Sequence, residues 1–307
     1  MRDSTFTSIA GVADVAWVRG ARAADAAPTL LVEVPHGADR LSDFERLRAR
    51  LVGDLPDDLV AYFLVNTDVG AWDLGCAVAQ KLVEAEPERA VVLVRSRIAR
   101  TFVDCNRLAD APQGDLAAGG MTAGLAPYVR HPDDQRLLLD LHRHYLALVD
   151  RCVAAVCGAG GLVLVPHSYA PRSVGIDAID DEIGPRLRAC WSAEQVERWP
   201  LRAPVDLITR TADGRQWSPP GLAEQVIAAY RDLGVEAVDG GTYSLHPSTV
   251  ACATSLRNPG RLLCLEVRRD LLVERWTPFA EMQADAAAVA RLAGPLVEGL
   301  RAVYAGG

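Results

Sequence analysis

The chain has 307 residues, of which 50% are hydrophobic and 23% charged, with a formal net charge of -8. That is enough apolar material for a sizeable core and too little charge for a disordered chain. An acidic balance argues against a nucleic-acid surface, and no apolar stretch reaches the length of a membrane span.

Residues 1–28 are Ala-rich and show no clear period, so they read as a loose lead-in. They lack the basic start and apolar centre of a signal peptide, which makes a cytoplasmic location the default expectation. The run from Thr29 to Pro35 is apolar and β-branched and ends in Pro35-His36-Gly37, the pattern of a short strand covered on both faces. Ser42, with Glu45 three residues on, has capping-box spacing and predicts a short helix. Leu59 to Val65 reads as a second strand, broken by Asn66-Thr67-Asp68-Val69-Gly70. A helix follows from Ala71 to about Ala85, with residues 74, 78, 82 and 83 on one apolar face. Ala90 to Val94 is the next strand.

Residues 108–130 read as loop, and a long helix runs from Asp133 to about Cys157 on Leu137, Leu141, Tyr145, Leu148 and Val149. The run Gly161-Leu162-Val163-Leu164-Val165-Pro166-His167-Ser168 is a strand that, like the first, ends in Pro-His. Residues 170–220 are irregular and read as an elaboration beside a site. A helix from about Leu222 to Leu233, strands over Val235–Val238 and Arg261–Val267, and a last helix over about Pro278–Tyr304 complete the chain. Alternating strands and helices predict a single α/β domain over 1–307, with a mostly parallel sheet between two helical layers.

Open α/β sheets bind ligands where the strand C-termini converge. His36 and His167 both stand at such ends and are the leading candidates for metal ligands. A catalytic metal of this kind takes three protein ligands and keeps one position open. Asp39, in a His-x-x-Asp spacing, and Asp73, at a helix start, are the candidate third ligands, with Asp68 as a further option. His142 and His144 lie two apart on a helix and face different ways, which favours surface positions.

Arg95, Arg97, Arg100 and Arg107 crowd one strand-loop segment interleaved with apolar residues. Asn106-Arg107 suits a substrate carboxylate, because a guanidinium grips it as a fork and the amide adds a donor. A further arginine would stabilise a carbonyl oxyanion. Glu266 interrupts an apolar strand. It either pairs with Arg268 or acts as a general base on water at the metal. The seven cysteines have no zinc-knuckle spacing and read as buried reduced thiols. There is no phosphate loop, no Gly-x-Gly-x-x-Gly after the first strand and no Gly-x-Ser-x-Gly elbow, so neither nucleotide nor serine-hydrolase chemistry is indicated.

Taken together, Pro35-His36-Gly37, Ala71-Trp72-Asp73-Leu74-Gly75, Arg100-Thr101-Phe102-Val103-Asp104-Cys105-Asn106-Arg107, Pro166-His167-Ser168 and Leu265-Glu266-Val267-Arg268-Arg269-Asp270 resemble, in order, the motifs of the N-formylglutamate amidohydrolases. That family is similar in fold to the zinc carboxypeptidases and phosphorylase/hydrolase-like proteins. The resemblance implies a mixed sheet of about eight strands between helices. It implies one zinc ion and hydrolysis of an N-acyl, for instance N-formyl, amino acid or similar small carboxylate. It also implies Glu266 as base, Arg100 at the carbonyl and Asn106 and Arg107 on the substrate carboxylate, with Arg268, Tyr243 and His246 near the substrate. Two departures stand out. Val165 replaces an Asp common two residues before the second His, and Gly241-Thr242-Tyr243-Ser244-Leu245-His246-Pro247 replaces an Asn-x-Pro-Tyr turn.

The competing expectations are a carboxylate-binding protein that keeps the arginines without a working metal site, and a hydrolase using Cys105 or Cys264. A small carboxylate is the expected partner, with no nucleic acid and no membrane. The sequence leaves homo-oligomerisation open.

Overall fold

The seven-stranded sheet has the order β1-β3-β2-β4-β7-β5-β6. The strands are β1 (Ala13–Arg19), β2 (Pro28–Val34), β3 (Ala90–Ser96), β4 (Leu162–Tyr169), β5 (Val205–Ile208), β6 (Ala237–Asp239) and β7 (Leu262–Arg268). This computed structural model describes residues 4–116 and 120–306. β3, β2, β4 and β7 run parallel, β1 is an antiparallel edge, and β5 returns antiparallel to β7 with β6 parallel to it.

Strand alternation divides the core in two. On one face, Leu31, Val163 and Cys264 meet α1 (Leu41–Arg48), α2 (Leu59–Asn66), α4 (Pro132–Gly158), α5 (Ile183–Cys190) and α7 (Val250–Arg257). On the other, Leu30, Val32, Leu164, Leu263 and Leu265 meet α3 (Ala71–Ala85), α6 (Leu222–Asp232) and α8 (Ala286–Gly306). This is the three-layer α/β domain the sequence predicts, with seven strands among the described residues where the resemblance implied about eight. No helix among them is long and apolar enough to cross a membrane.

Several local expectations are corrected. Residues 13–19 form β1, whose half-buried edge position leaves no strong alternation to read. Leu59–Asn66 is helix α2, not a strand. It is apolar nearly all round because α1 and α5 cover it, and such a short run carries no period that separates helix from strand. Ser42 is not an N-cap. α1 starts at Leu41 after Arg40, and the Leu41 N–H donates to Glu281 Oε2 at 2.6 Å. The last helix starts at Ala286, where the Asp285 carboxylate accepts from the N–H groups of Ala287 and Ala288. The irregular 170–220 region contributes α5 and also β5, a strand inside the sheet.

β2 carries one acid, Glu33, into the core beneath the strand ends. Tyr145 of α4 donates its hydroxyl to Glu33 Oε1 at 2.8 Å. Burial pushes the Glu33 carboxyl up to about 7, with the tyrosine bond opposing. The folded pKa lies above the ordinary 4.5, so the native state favours the neutral acid. Its stabilisation is complete below pH about 4.5 and is lost as pH rises through about 7, a change of about 3 kcal/mol. Glu33→Gln keeps the acceptor oxygen and should match the wild type at pH 4. At pH 8 it should be about 3 kcal/mol more stable in urea unfolding. An equal pH dependence in the two proteins would refute this.

Candidate metal centre and cavity

Four chain segments meet at the C-terminal end of the parallel strands. β2 runs into Pro35-His36, and β4 carries His167 within its last turn of pleat. β3 leads into the loop that bears Arg100, Asp104, Asn106 and Arg107. The C-terminus of α2 delivers Asp68. Gly70 then turns the chain into α3 at φ 82°, where a Cβ would stand 2.8 Å from Leu272 Cβ. A side chain there would be strained by both conformation and space.

Three donor atoms converge. His36 Nδ1 lies 3.1 Å from His167 Nδ1 and 3.2 Å from Asp68 Oδ2, and His167 Nδ1 lies 2.9 Å from the same oxygen. All three residues are buried, and they form the cluster suited to a metal ion. Donors set tetrahedrally around zinc at 2.0–2.1 Å are roughly 3.3 Å apart, so the spacing fits such an ion with one position left open. The surroundings fit as well. His36 Nε2 faces Asp104 Oδ1 at 2.7 Å, the carboxylate–histidine arrangement that orients a ligand imidazole. His167 Nε2 meets Asn106 Nδ2 at 3.3 Å.

Charge balance holds the acids ionised. Burial alone would raise Asp68, but His36, His167 and Arg100 hold it well below the usual carboxylate range. Burial likewise opposes ionisation of Asp104, and His36, Arg100 and Arg107 overcome it. Arg100 reaches Asp68 Oδ1 at 3.2 Å and Asp104 Oδ2 at 3.0 Å, so one guanidinium ties the two carboxylates together. The Ser168 N–H adds a bond to Asp68 Oδ2 at 3.3 Å. Asp104→Asn should weaken metal binding about 10- to 100-fold, because the amide keeps an acceptor oxygen but loses the negative charge that fixes His36 and raises its basicity. Competition with a chromogenic chelator would measure this, and an unchanged affinity would show that Asp104 serves packing alone.

Neither Asp39 nor Asp73 joins the cluster. The buried Asp39 pairs with Arg40 at 3.5 Å and is raised to about 6 by burial, with Asp73 beside it adding to the shift. The reason is geometric: after His36 the chain turns toward α1, and α3 starts beyond Gly70, so both acids are carried away from the strand end. Asp68 was legible as a polar break after an apolar run. Only recognition of that run as a helix would have shown where it points.

His36 and His167 open onto a cavity of about 440 Å3, within the ordinary range of small-ligand sites. Glu266 faces it from β7, in register with His167 on β4 and with Asp206 on β5. Glu266 Oε2 has no hydrogen-bond partner among the described residues. Burial raises its carboxyl to about 7, the charge of His167 opposing and that of Asp68 adding. The expected pairing with Arg268 is absent. Arg268 binds Asp270 at 2.8 Å and the Arg202 carbonyl at 3.0 Å and does not line the cavity.

Arg107 and Asn106 do line it. Arg107 is buried, donates to the Asn106 carbonyl at 3.1 Å, has no carboxylate partner among the described residues and leaves Nε unpartnered. Tyr243 lines the cavity and receives a long bond of 3.4 Å from Arg202. Arg202, which the sequence reading missed, has no carboxylate partner among the described residues. His246 does not line the cavity and bonds Ser248 Oγ at 2.8 Å. Asp206 accepts from the N–H groups of Gly241 and Thr242, which fixes the turn that bears Tyr243. His142, expected at the surface, is buried, and its Nε2 lies 3.0 Å from the Arg107 carbonyl oxygen. Cys105 and Cys264 are in no disulfide. Burial pushes the thiols of Cys105 and Cys264 far up, which makes them poor nucleophiles.

No protein-family profile matches the chain, and no curated protein sequence matches it. Two solved structures share the architecture. A protein from Ralstonia eutropha JMP134 named N-formylglutamate amidohydrolase is 17% identical, with a TM-score of 0.58 over 95% of this chain and 99% of that one. A gene product of Agrobacterium tumefaciens is 16% identical, with a TM-score of 0.57 over 98% of each chain. The chain therefore has the fold of these two proteins over nearly its whole length.

Proposed function

We propose that the protein is a zinc-dependent amidohydrolase that cleaves the amide of an N-acyl amino acid or similar small carboxylate. The observation that carries this reading is a cavity lined by His36, His167 and Glu266, with an Asp68 oxygen within 3.2 Å of both histidine nitrogens and Glu266 Oε2 left without a partner among the described residues. The fold shared with a protein named N-formylglutamate amidohydrolase supports it.

A divalent ion held by His36, His167 and Asp68 would supply Lewis-acid polarisation and lower the pKa of water. The chain's own groups account for the rest. Arg107, with no carboxylate in ion-pair contact among the described residues, binds the substrate carboxylate and sets the scissile amide beside Glu266. Asn106 keeps Arg107 in place through its carbonyl and itself accepts from the Ala251 N–H at 3.1 Å. Glu266 takes a proton from the attacking water and delivers it to the leaving nitrogen. Arg100, on the cavity wall, contributes positive charge toward the developing oxyanion.

The test is metal analysis of the purified protein joined to an assay of zinc-loaded protein on a panel of N-acyl amino acids. Arg107→Ala should raise KM about 100-fold with kcat little changed, the signature of lost carboxylate binding. Zinc-loaded protein that hydrolyses no member of the panel would refute the reading and favour a carboxylate-binding protein.

A further inference from the structure

The cavity has two unlike walls. The sheet side presents His36, His167, Glu266, Arg100 and Arg107. Another part of the lining is mostly apolar: Tyr62 and Val65 of α2, Ile179 before α5, Ile183 and Leu187 on α5, and Trp191 just after it, with Asn66 the polar residue of α2 beside them. Ile183 and Leu187 are four apart on α5 and share one face, and α5 packs against α2. Trp191 is braced from behind by Trp276, with ring centroids 5.7 Å apart.

These six side chains carry no formal charge. Of the charged residues at that end, Arg172 lines the cavity but is tied to Glu197 and to the Trp199 carbonyl, and Arg269 lines it with its donors on the Val65 and Ser168 carbonyls. Asp180 is bound to Arg186 and Asp58 to Arg188. A hydrocarbon wall facing open space is poorly hydrated and gains by covering itself with an apolar group.

We infer that this wall is a specificity subsite for a branched or aromatic hydrocarbon substituent on the substrate, either on the acyl group or on the amino-acid side chain. The inference rests on the amidohydrolase reading for its chemistry, but the subsite would bind such a group whether or not turnover follows. The competing occupant is a second carboxylate, which Arg202 on the β5 side would receive.

The experiment compares kcat/KM of the zinc-loaded protein on N-formylglycine, N-formyl-L-leucine, N-isovalerylglycine and N-formyl-L-glutamate. Either N-formyl-L-leucine or N-isovalerylglycine should exceed both N-formylglycine and N-formyl-L-glutamate by roughly 10- to 100-fold. Which of the two does so assigns the subsite to the side chain or to the acyl group. N-formyl-L-glutamate equal to or better than both would overturn the inference while leaving the hydrolase reading intact.

Ile183→Trp, which fills the subsite, should bring the preference ratio close to one, and Leu187→Ala should lower it by roughly 5- to 10-fold. Retained preference in both variants would overturn the assignment of this wall. If no substrate is turned over, thermal shifts with leucine, isovalerate and glutamate decide the matter. A larger shift for leucine or isovalerate than for glutamate, lost in Ile183→Trp, would uphold the subsite and refute the hydrolase reading. Equal or absent shifts would refute the subsite.

Discussion

Asp68→Ala should strip the protein of its metal, whereas Asp39→Ala and Asp73→Ala should keep it. Among the described residues, Asp68 is the one carboxylate whose oxygen stands 3.2 Å and 2.9 Å from the two histidine nitrogens that face each other. With it gone, two imidazoles remain, too few donors for a stable three-ligand site. Activity should fall by at least roughly a thousandfold, because the several kcal/mol of charge stabilisation that a metal supplies is lost. Stability should fall too, since Arg100 loses one of its two carboxylates and Arg269, 3.8 Å from Asp68, loses its own. Breaking a buried pair of this kind costs about 3–5 kcal/mol. Asp68→Asn keeps the shape and separates ligand loss from misfolding. Metal content by elemental analysis, read beside urea unfolding, checks both effects. Full metal content in Asp68→Ala would return the third-ligand question to Asp39 and Asp73.

Glu266→Gln should retain metal and fold and lose turnover by about 100- to 10,000-fold, the range for removal of a general base. Glutamine matches the shape and cannot accept the proton. The wild-type pH profile provides a second readout. Burial raises Glu266 to about 7, and the base must be ionised, so kcat/KM should fall tenfold per pH unit below that value. A bound divalent cation favours the carboxylate and moves this limb toward lower pH, so the limb should lie at or below about 7 in the loaded enzyme. An active Glu266→Gln variant with an unchanged acid limb would remove Glu266 from the proton path.

The sequence by itself determined the elements whose signals are local and strong. β2 and β4 announce themselves as apolar β-branched runs, and each ends in Pro-His, so two histidines at the ligand-binding edge followed from strand direction alone. The helical period of α3 and α4 and the charged loop after β3 were equally plain. Glu266 stood out because an acid inside an apolar strand demands a partner or a task. That it has no partner on Oε2, and that Arg268 turns instead to Asp270, are facts of strand pairing beyond any local reading.

Only the tertiary structure decided the third donor, the cavity and the edges of the sheet. Leu59–Asn66 is too short and too uniformly apolar to show a period, and its helical state comes from being enclosed by α1 and α5. Because that state sets the direction of the chain at Asp68, the ligand set could not be read before the fold was known. β1 and β5 are stabilised by neighbours distant in sequence, β3 and β7, and the preference for pairing lies in those neighbours rather than in seven or four residues of their own. Arg202 and the α2–α5 wall belong to the same class. Each residue is ordinary in the chain, and it acquires meaning when long-range packing places it around the space that His36, His167 and Glu266 face.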